Sequence, residues 1–236
     1  MKIRYFFGTI LIIAVLSMII PIMAASNRKT LEYADLEEDN LFIVCDNESD
    51  INFEDIPYEA SQDFDDMIKD ANILIIAHYS GDLDFSNEAF FYTFEVKHVL
   101  KGEVVSKNIT VVDEVMLMDK FEGFKYVDFG QGISPLEAGN DYLISIREFP
   151  NPLQIKLHEI FENAYLLNSN SRYDCYNLTA DNQNFVFPDL LWNIEEPFYL
   201  KDIKKNTQIF TSSQEELDKY NRERQKAIEY VKEYLG

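Results

Sequence analysis

Three histidines, two cysteines and 42 acidic side chains are the groups through which this 236-residue chain could do chemistry. A metal centre or a general-base site needs several of them converging on one point. The histidines are His78, His98 and His158. In a hairpin centred near residues 84–85, His78 faces roughly Phe91 and His98 faces roughly residue 71, so the two do not meet. His158-Glu159 has no second histidine at the spacing of a zinc-protease helix. No Gly-x-Ser-x-Gly, phosphate-binding loop or dinucleotide fingerprint occurs. The histidines read as structural or surface groups, with no catalytic residue and no metal ligand assigned.

The acids suggest calcium first. Asp46, Glu48, Asp50, Asn52 and Glu54 alternate like the first half of a calcium loop, but Ile51 stands where the turn needs glycine and Pro57 where a bidentate glutamate belongs. Asp82-Leu83-Asp84 has similar faults. Both read as solvated acidic faces. Carboxylate pairs for hydrolysis can be drawn from so many acids that none is singled out. Trp192, with Phe187, Phe198 and Tyr199, suits either a sugar platform or ordinary packing. Two cysteines exclude an all-cysteine zinc site within one chain. Cys45 and Cys175 are an even pair, so in an exported chain a disulfide between them is allowed, with two buried thiols as the alternative. The bond would close a long loop and contribute roughly 4 kcal/mol on the chain-entropy account. No cofactor is implied.

Charge narrows the partners. The chain carries 42 Asp+Glu against 21 Lys+Arg, a net −21. A 47% hydrophobic and 14% aromatic content is too apolar for an acidic disordered chain. Lys2 and Arg4 precede an apolar run from Tyr5 to Ile20, followed by Pro21 and by Ala24-Ala25, and no acid occurs before Glu32. That is the pattern of a signal peptide, or of an N-terminal membrane anchor if it stays uncleaved. Either reading puts the remainder outside the cytoplasmic membrane, secreted or tethered. Without Lys2 and Arg4 there are 19 bases against 42 acids, a net −23. Phosphate backbones and anionic headgroups repel such a domain, so the expectation is no nucleic-acid partner and no membrane contact beyond the N-terminal segment.

The positioning elements read as mainly β with helical ends. Residues 1–25 are the signal or anchor, and 26–60 an acidic leader with one short strand at residues 41–44. An OB-like β-barrel domain spans 61–211, and a C-terminal amphipathic helix packed on it spans 212–236. Phe64, Met67, Ile68 and Ala71 share one helical face, with Ser61 as the N-cap. Residues 72–80 form a strand buried on both faces, and 81–89 a polar loop. Phe90, Tyr92, Phe94 and Val96 alternate inward against Thr93, Glu95 and Lys97. Gly102 and Gly139 are structural turns. Further strands are expected at 109–115, 142–147 and 159–167, and weakly at 173–178 and 184–187, with 116–135 looser. Five or more antiparallel strands close to remove exposed edges. Ile75 and Leu143 join Phe90, Tyr92, Phe94 and Val96 in the barrel core. Ser213 and Glu216 form a capping box opening the last helix. Its apolar stripe runs Leu217, Tyr220, Arg224, Ala227, Ile228, Val231, Tyr234, Leu235.

Three segments in order carry a resemblance: Phe64–Ala77, helix into strand; Tyr92–Gly102, strand into Leu-Lys-Gly; and Leu136–Ile144, turn into strand. Over residues 61–150 they resemble exported bacterial domains with a barrel like that of the netrin module and the tissue inhibitors of metalloproteinases. The resemblance implies a five-stranded OB-type barrel with helices packed on it. Those inhibitors place an N-terminal cysteine amine on the target's zinc. Here Ala25 or Ser26 would begin the mature chain, so the fold carries over and the inhibitory residue does not. The expected function is a non-enzymatic extracytoplasmic binding or accessory domain recognising a protein or cell-envelope component through the loops at 81–89 and 116–135. The alternatives are a carboxylate hydrolase or sugar-binding protein, and a protease inhibitor acting through a loop.

Overall fold

A computed structural model describes residues 42–44, 61–86, 89–114, 116–121, 124–128, 136–148, 163–168, 171–179, 185–186, 207–211 and 213–236. All lie in the compact unit Glu32–Gly236. The elements are β1 (Phe42–Val44), α1 (Phe64–Asp70), β2 (Ile73–Ser86), β3 (Ala89–Lys101), β4 (Asn108–Glu114), β5 (Met116–Phe121), β6 (Phe124–Asp128), β7 (Asn140–Glu148), β8 (Ala164–Leu167), β9 (Cys175–Asn177), β10 (Phe185–Val186), β11 (Phe210–Thr211) and α2 (Gln214–Leu235). Among the described residues no helix is long and apolar enough to cross a membrane, and the apolar N-terminal segment lies outside them.

Strands β2, β3, β4, β8 and β7 are paired in that order, and β7 pairs back onto β2 to close a five-stranded barrel. β9 adds a sixth strand on the edge of β7. The barrel is mixed: β4 and β8 run parallel, where an antiparallel set was expected. In chain order the barrel strands close 1-2-3-5-4-1, an OB-like Greek-key connectivity. The expected loop at 116–135 contains two strands, β5 and β6, which join β1 in a separate three-stranded sheet.

The hairpin of β2 and β3 also differs from its expected geometry. Residues 81–86 continue β2, and Ser86 pairs with Ala89 of β3. Tyr79 pairs with Phe94 but Leu83 with Tyr92, so β2 carries two extra residues around Gly81. Two further register shifts put extra residues in β3. Such bulges bend and twist a strand tightly enough to wrap a small barrel. They also move the histidines: His78 stands opposite Glu95 and His98 opposite Ile76. Neither faces the residue that uninterrupted pairing predicts.

Alternation divides β2 into two faces. Ile75, Ala77 and Tyr79 point into the barrel with Phe90, Tyr92, Phe94 and Tyr142, all at most 2% exposed. Their rings interlock: Tyr79 meets Tyr92 edge-on at 5.4 Å and Phe94 meets Tyr142 at 6.1 Å. Leu74, Ile76 and Leu143 face outward and are covered by Phe64 and Met67 of α1 and by Leu217, Tyr220, Ala227 and Val231 of α2. Leu143 is thus fully buried but lies outside the barrel core expected to hold it, because it pairs with Ile76 while Ile144 pairs with Ile75.

Both helices are pinned by polar contacts. Asp63, not Ser61, caps α1 by accepting from the Asp66 amide at 2.9 Å. Ser61 is buried, and its hydroxyl donates to Asp174. The Phe64 amide donates to Glu223 of α2 at 3.1 Å, so one helix caps the start of the other. Glu223 is accordingly buried within the stripe, whereas Tyr234 and Leu235 at its end are half exposed. Ser213 caps α2, accepting from the Glu216 amide, but its own amide donates to the Thr211 hydroxyl and not to Glu216, so the expected capping box is only half made.

Candidate functional site

The same alternation that buries Leu74 and Ile76 carries His78 outward, past the cover of the helices. The outward face of β7 brings Asp141 directly opposite it, and that of β3 brings Glu95 opposite on the other side. A polar row therefore crosses three strands. His78 Nδ1 lies 2.8 Å from Asp141 Oδ1. Lys97 Nζ donates to both Asp141 oxygens at 2.7 and 2.9 Å. The Asp141 amide donates to the Thr179 hydroxyl at 2.9 Å. Lys107 pairs with Glu95 at the far end of the row.

Electrostatics organise this row. Burial of Asp141 raises its pKa, but the hydrogen bonds from Lys97 and His78 outweigh burial and hold the carboxyl below its ordinary value. The Lys107 ammonium lowers Glu95 in the same way. His78 is 31% exposed and Asp141 32%. Asp141 orients the imidazole, Lys97 holds the Asp141 carboxylate, and Thr179 holds its backbone amide. Sequence reasoning dismissed His78 because it tested only histidine pairs. The signal that could have found the row is the polar residue continuing each outward alternation: His78 after Ile76, Asp141 before Leu143, Lys97 after Glu95.

The other sequence candidates resolve structurally. Gly102 adopts φ +72 and Gly139 φ +83, as turns require. At Gly102 an added Cβ would stand 2.7 Å from the Asn72 carbonyl. Lys101 beside it donates to the Ile68 and Lys69 carbonyls, closing the end of α1. The Leu-Lys-Gly motif is thus a clasp between the end of β3 and the helix-to-strand junction. In the third segment, the Tyr142 hydroxyl receives the Glu137 amide and donates to its carbonyl. The Gly139 amide donates to the Tyr79 carbonyl at 2.7 Å. Phe90, Tyr92, Phe94, Val96 and Ile75 are buried as expected.

Cys175 is a free thiol, wholly buried, and burial pushes its pKa well up. Its partner in the expected disulfide, Cys45, lies outside the described residues. So do the Asp46–Glu54 acids, His158, Trp192, Phe187, Phe198 and Tyr199. Asp82 and Asp84 are exposed on β2. No protein-family model, curated protein or solved structure matches this chain. A small, partly open pocket lined by Tyr92, Phe94, Asp113, Ile144, Leu167 and Cys175 has a volume of about 10 Å³, room for one water.

Proposed function

We propose that this chain is a non-enzymatic binding or accessory domain that works outside the cytoplasmic membrane and recognises a protein or cell-envelope component. The observation that carries the reading is the packing of the barrel: among the described residues Tyr79, Phe90, Tyr92, Phe94 and Tyr142 fill its interior, each at most 2% exposed. A small-molecule site needs a concave space, and rings packed this closely among the described residues leave recognition by the barrel to its outer surface. A net charge of −21 favours a basic partner and disfavours nucleic acid and anionic lipid. The Lys2–Ala25 pattern supports export, by cleavage or by anchoring.

The likeness to the netrin and metalloproteinase-inhibitor barrels belongs to the same proposal. It is supported by the way its three segments cooperate: α1 runs into β2, Lys101 and Gly102 clasp that junction, and Tyr142 ties down the turn before β7.

The test is capture of envelope proteins on the immobilised full chain at low salt and again at high salt. The expected result is retention of basic proteins that salt releases, with double-stranded DNA and anionic vesicles not retained. Turnover of a glycan or peptide library by the purified chain would overturn the reading.

A further inference from the structure

We propose that His78 and Glu95 form a surface site for a divalent transition-metal ion on the barrel wall. This inference does not depend on the binding reading above. The Asp141 carboxylate can only accept, so in its 2.8 Å contact the His78 Nδ1 carries the hydrogen. In the neutral imidazole with this tautomer Nε2 keeps its lone pair, the form in which an imidazole binds a metal. The two ring nitrogens diverge. With Nδ1 engaged on the β7 side, Nε2 is the nitrogen left for the β3 side of His78.

On that side Glu95 stands directly opposite His78 in the ladder. Opposite residues of an antiparallel pair hold their Cβ atoms about 4.5–5.5 Å apart, a spacing one ion bridges with an imidazole nitrogen and a carboxylate oxygen. Lys107 engages Oε1 of Glu95, and Oε2 has no partner among the described residues. The supporting layer is already built: Asp141 holds the imidazole, and Lys97 and Thr179 hold Asp141. A carboxylate behind the histidine is the usual arrangement around a metal-bound imidazole.

No group of three or more His, Cys, Asp and Glu side chains converges among the described residues, so water completes the coordination shell. A nitrogen–oxygen donor pair of this kind ranks copper(II) above nickel(II) and zinc(II). Lys97 and Lys107 oppose the charge of the ion locally. Lys107 also competes with it for Glu95, which fixes the sign of one variant below.

The experiment is titration of the full chain with copper(II), read by electron paramagnetic resonance for splitting from a coordinated imidazole nitrogen. This readout separates the site from oxygen-only binding by the many carboxylates. One nitrogen-coupled ion per chain is expected. His78→Ala and His78→Gln abolish the splitting, while His98→Ala and His158→Ala leave it intact. Asp141→Asn weakens the site about 10-fold, Glu95→Gln weakens it further, and Lys107→Met tightens it. His78 and Glu95 are at the surface, so circular dichroism of their variants should match the parent chain. Splitting that survives in His78→Ala, or no splitting in the parent chain at one equivalent of copper, overturns the proposal.

Discussion

At Gly102 two costs meet in one residue. The positive φ disfavours any side chain by about 1–2 kcal/mol, and a Cβ would press on the Asn72 carbonyl, a backbone atom that cannot swing aside. Gly102→Ala should lower unfolding free energy by about 2–3 kcal/mol. Gly139→Ala has the same backbone strain but open space around the new methyl, and should cost about 1 kcal/mol. Urea titration of both variants measures the difference, and equal losses would mean that the clasp is not tight. Asp141 gives a pH dependence. Its folded pKa is depressed, so its contribution is complete above the unfolded value of about 4 and fades as pH falls through the lower folded value. Thermal melts between pH 7 and pH 2 should show Asp141→Asn losing less stability on acidification than the parent chain.

Among the elements, β9 is only three residues long, and among the described residues its outer edge is closed by side chains and not by a strand. The Asn177 amide donates to Gln208 Oε1 at 3.0 Å, and Gln208 Nε2 donates to the Cys175 carbonyl at 2.8 Å. One side-chain carboxamide thus takes both bonds that a residue of a parallel strand would make. Arg224 Nε occupies the next carbonyl, that of Asn177. Gln208→Leu keeps the volume and removes both bonds; the Cys175 carbonyl keeps the Tyr220 hydroxyl, while the buried Asn177 amide loses its Gln208 acceptor. The expected loss is about 1–3 kcal/mol by urea titration.

The helix α2 is part of the core rather than an appendage. Leu217, Tyr220, Ala227 and Val231 cover the barrel wall, and the Tyr176 and Tyr220 rings stack at 5.6 Å. Deleting residues 214–236 should leave a chain without a cooperative thermal transition. Deleting only 234–236 should leave the transition in place, since Tyr234 and Leu235 are about half exposed.

For the whole molecule, closure of the barrel seals Cys175 inside. The thiol is fully buried and its pKa is raised by burial and by the charges of Asp113 and Asp174, so neither access nor ionisation favours reaction in the folded state. In a Cys45→Ser variant, labelling of Cys175 by a thiol reagent should be negligible in buffer. It should rise with urea along the same curve as loss of circular dichroism, because only global opening reaches the barrel interior. Labelling well before that transition would indicate local opening around β9.

Period-two alternation made β3 readable, and with it Phe90, Tyr92, Phe94 and Val96 as core, because each side chain needed only its own strand to define inside and outside. The helical stripe and Ser213 cap of α2, and the turns at Gly102 and Gly139, were local in the same sense. Bulges broke the inference beyond one strand. The extra residues around Gly81 cannot be read from alternation, so the reach of β2, the hairpin register and the partners of His78 and His98 were all misplaced. A strand buried on both faces does not say which face is the barrel interior, and for that reason Leu143 was put on the wrong side. Local residue chemistry decided which segments are strands, helices and turns. Pairing between segments far apart in the chain decided the mixed closure, the side-chain edge on β9 and the meeting of His78, Asp141, Lys97 and Glu95, because those contacts depend on register, which no single segment contains.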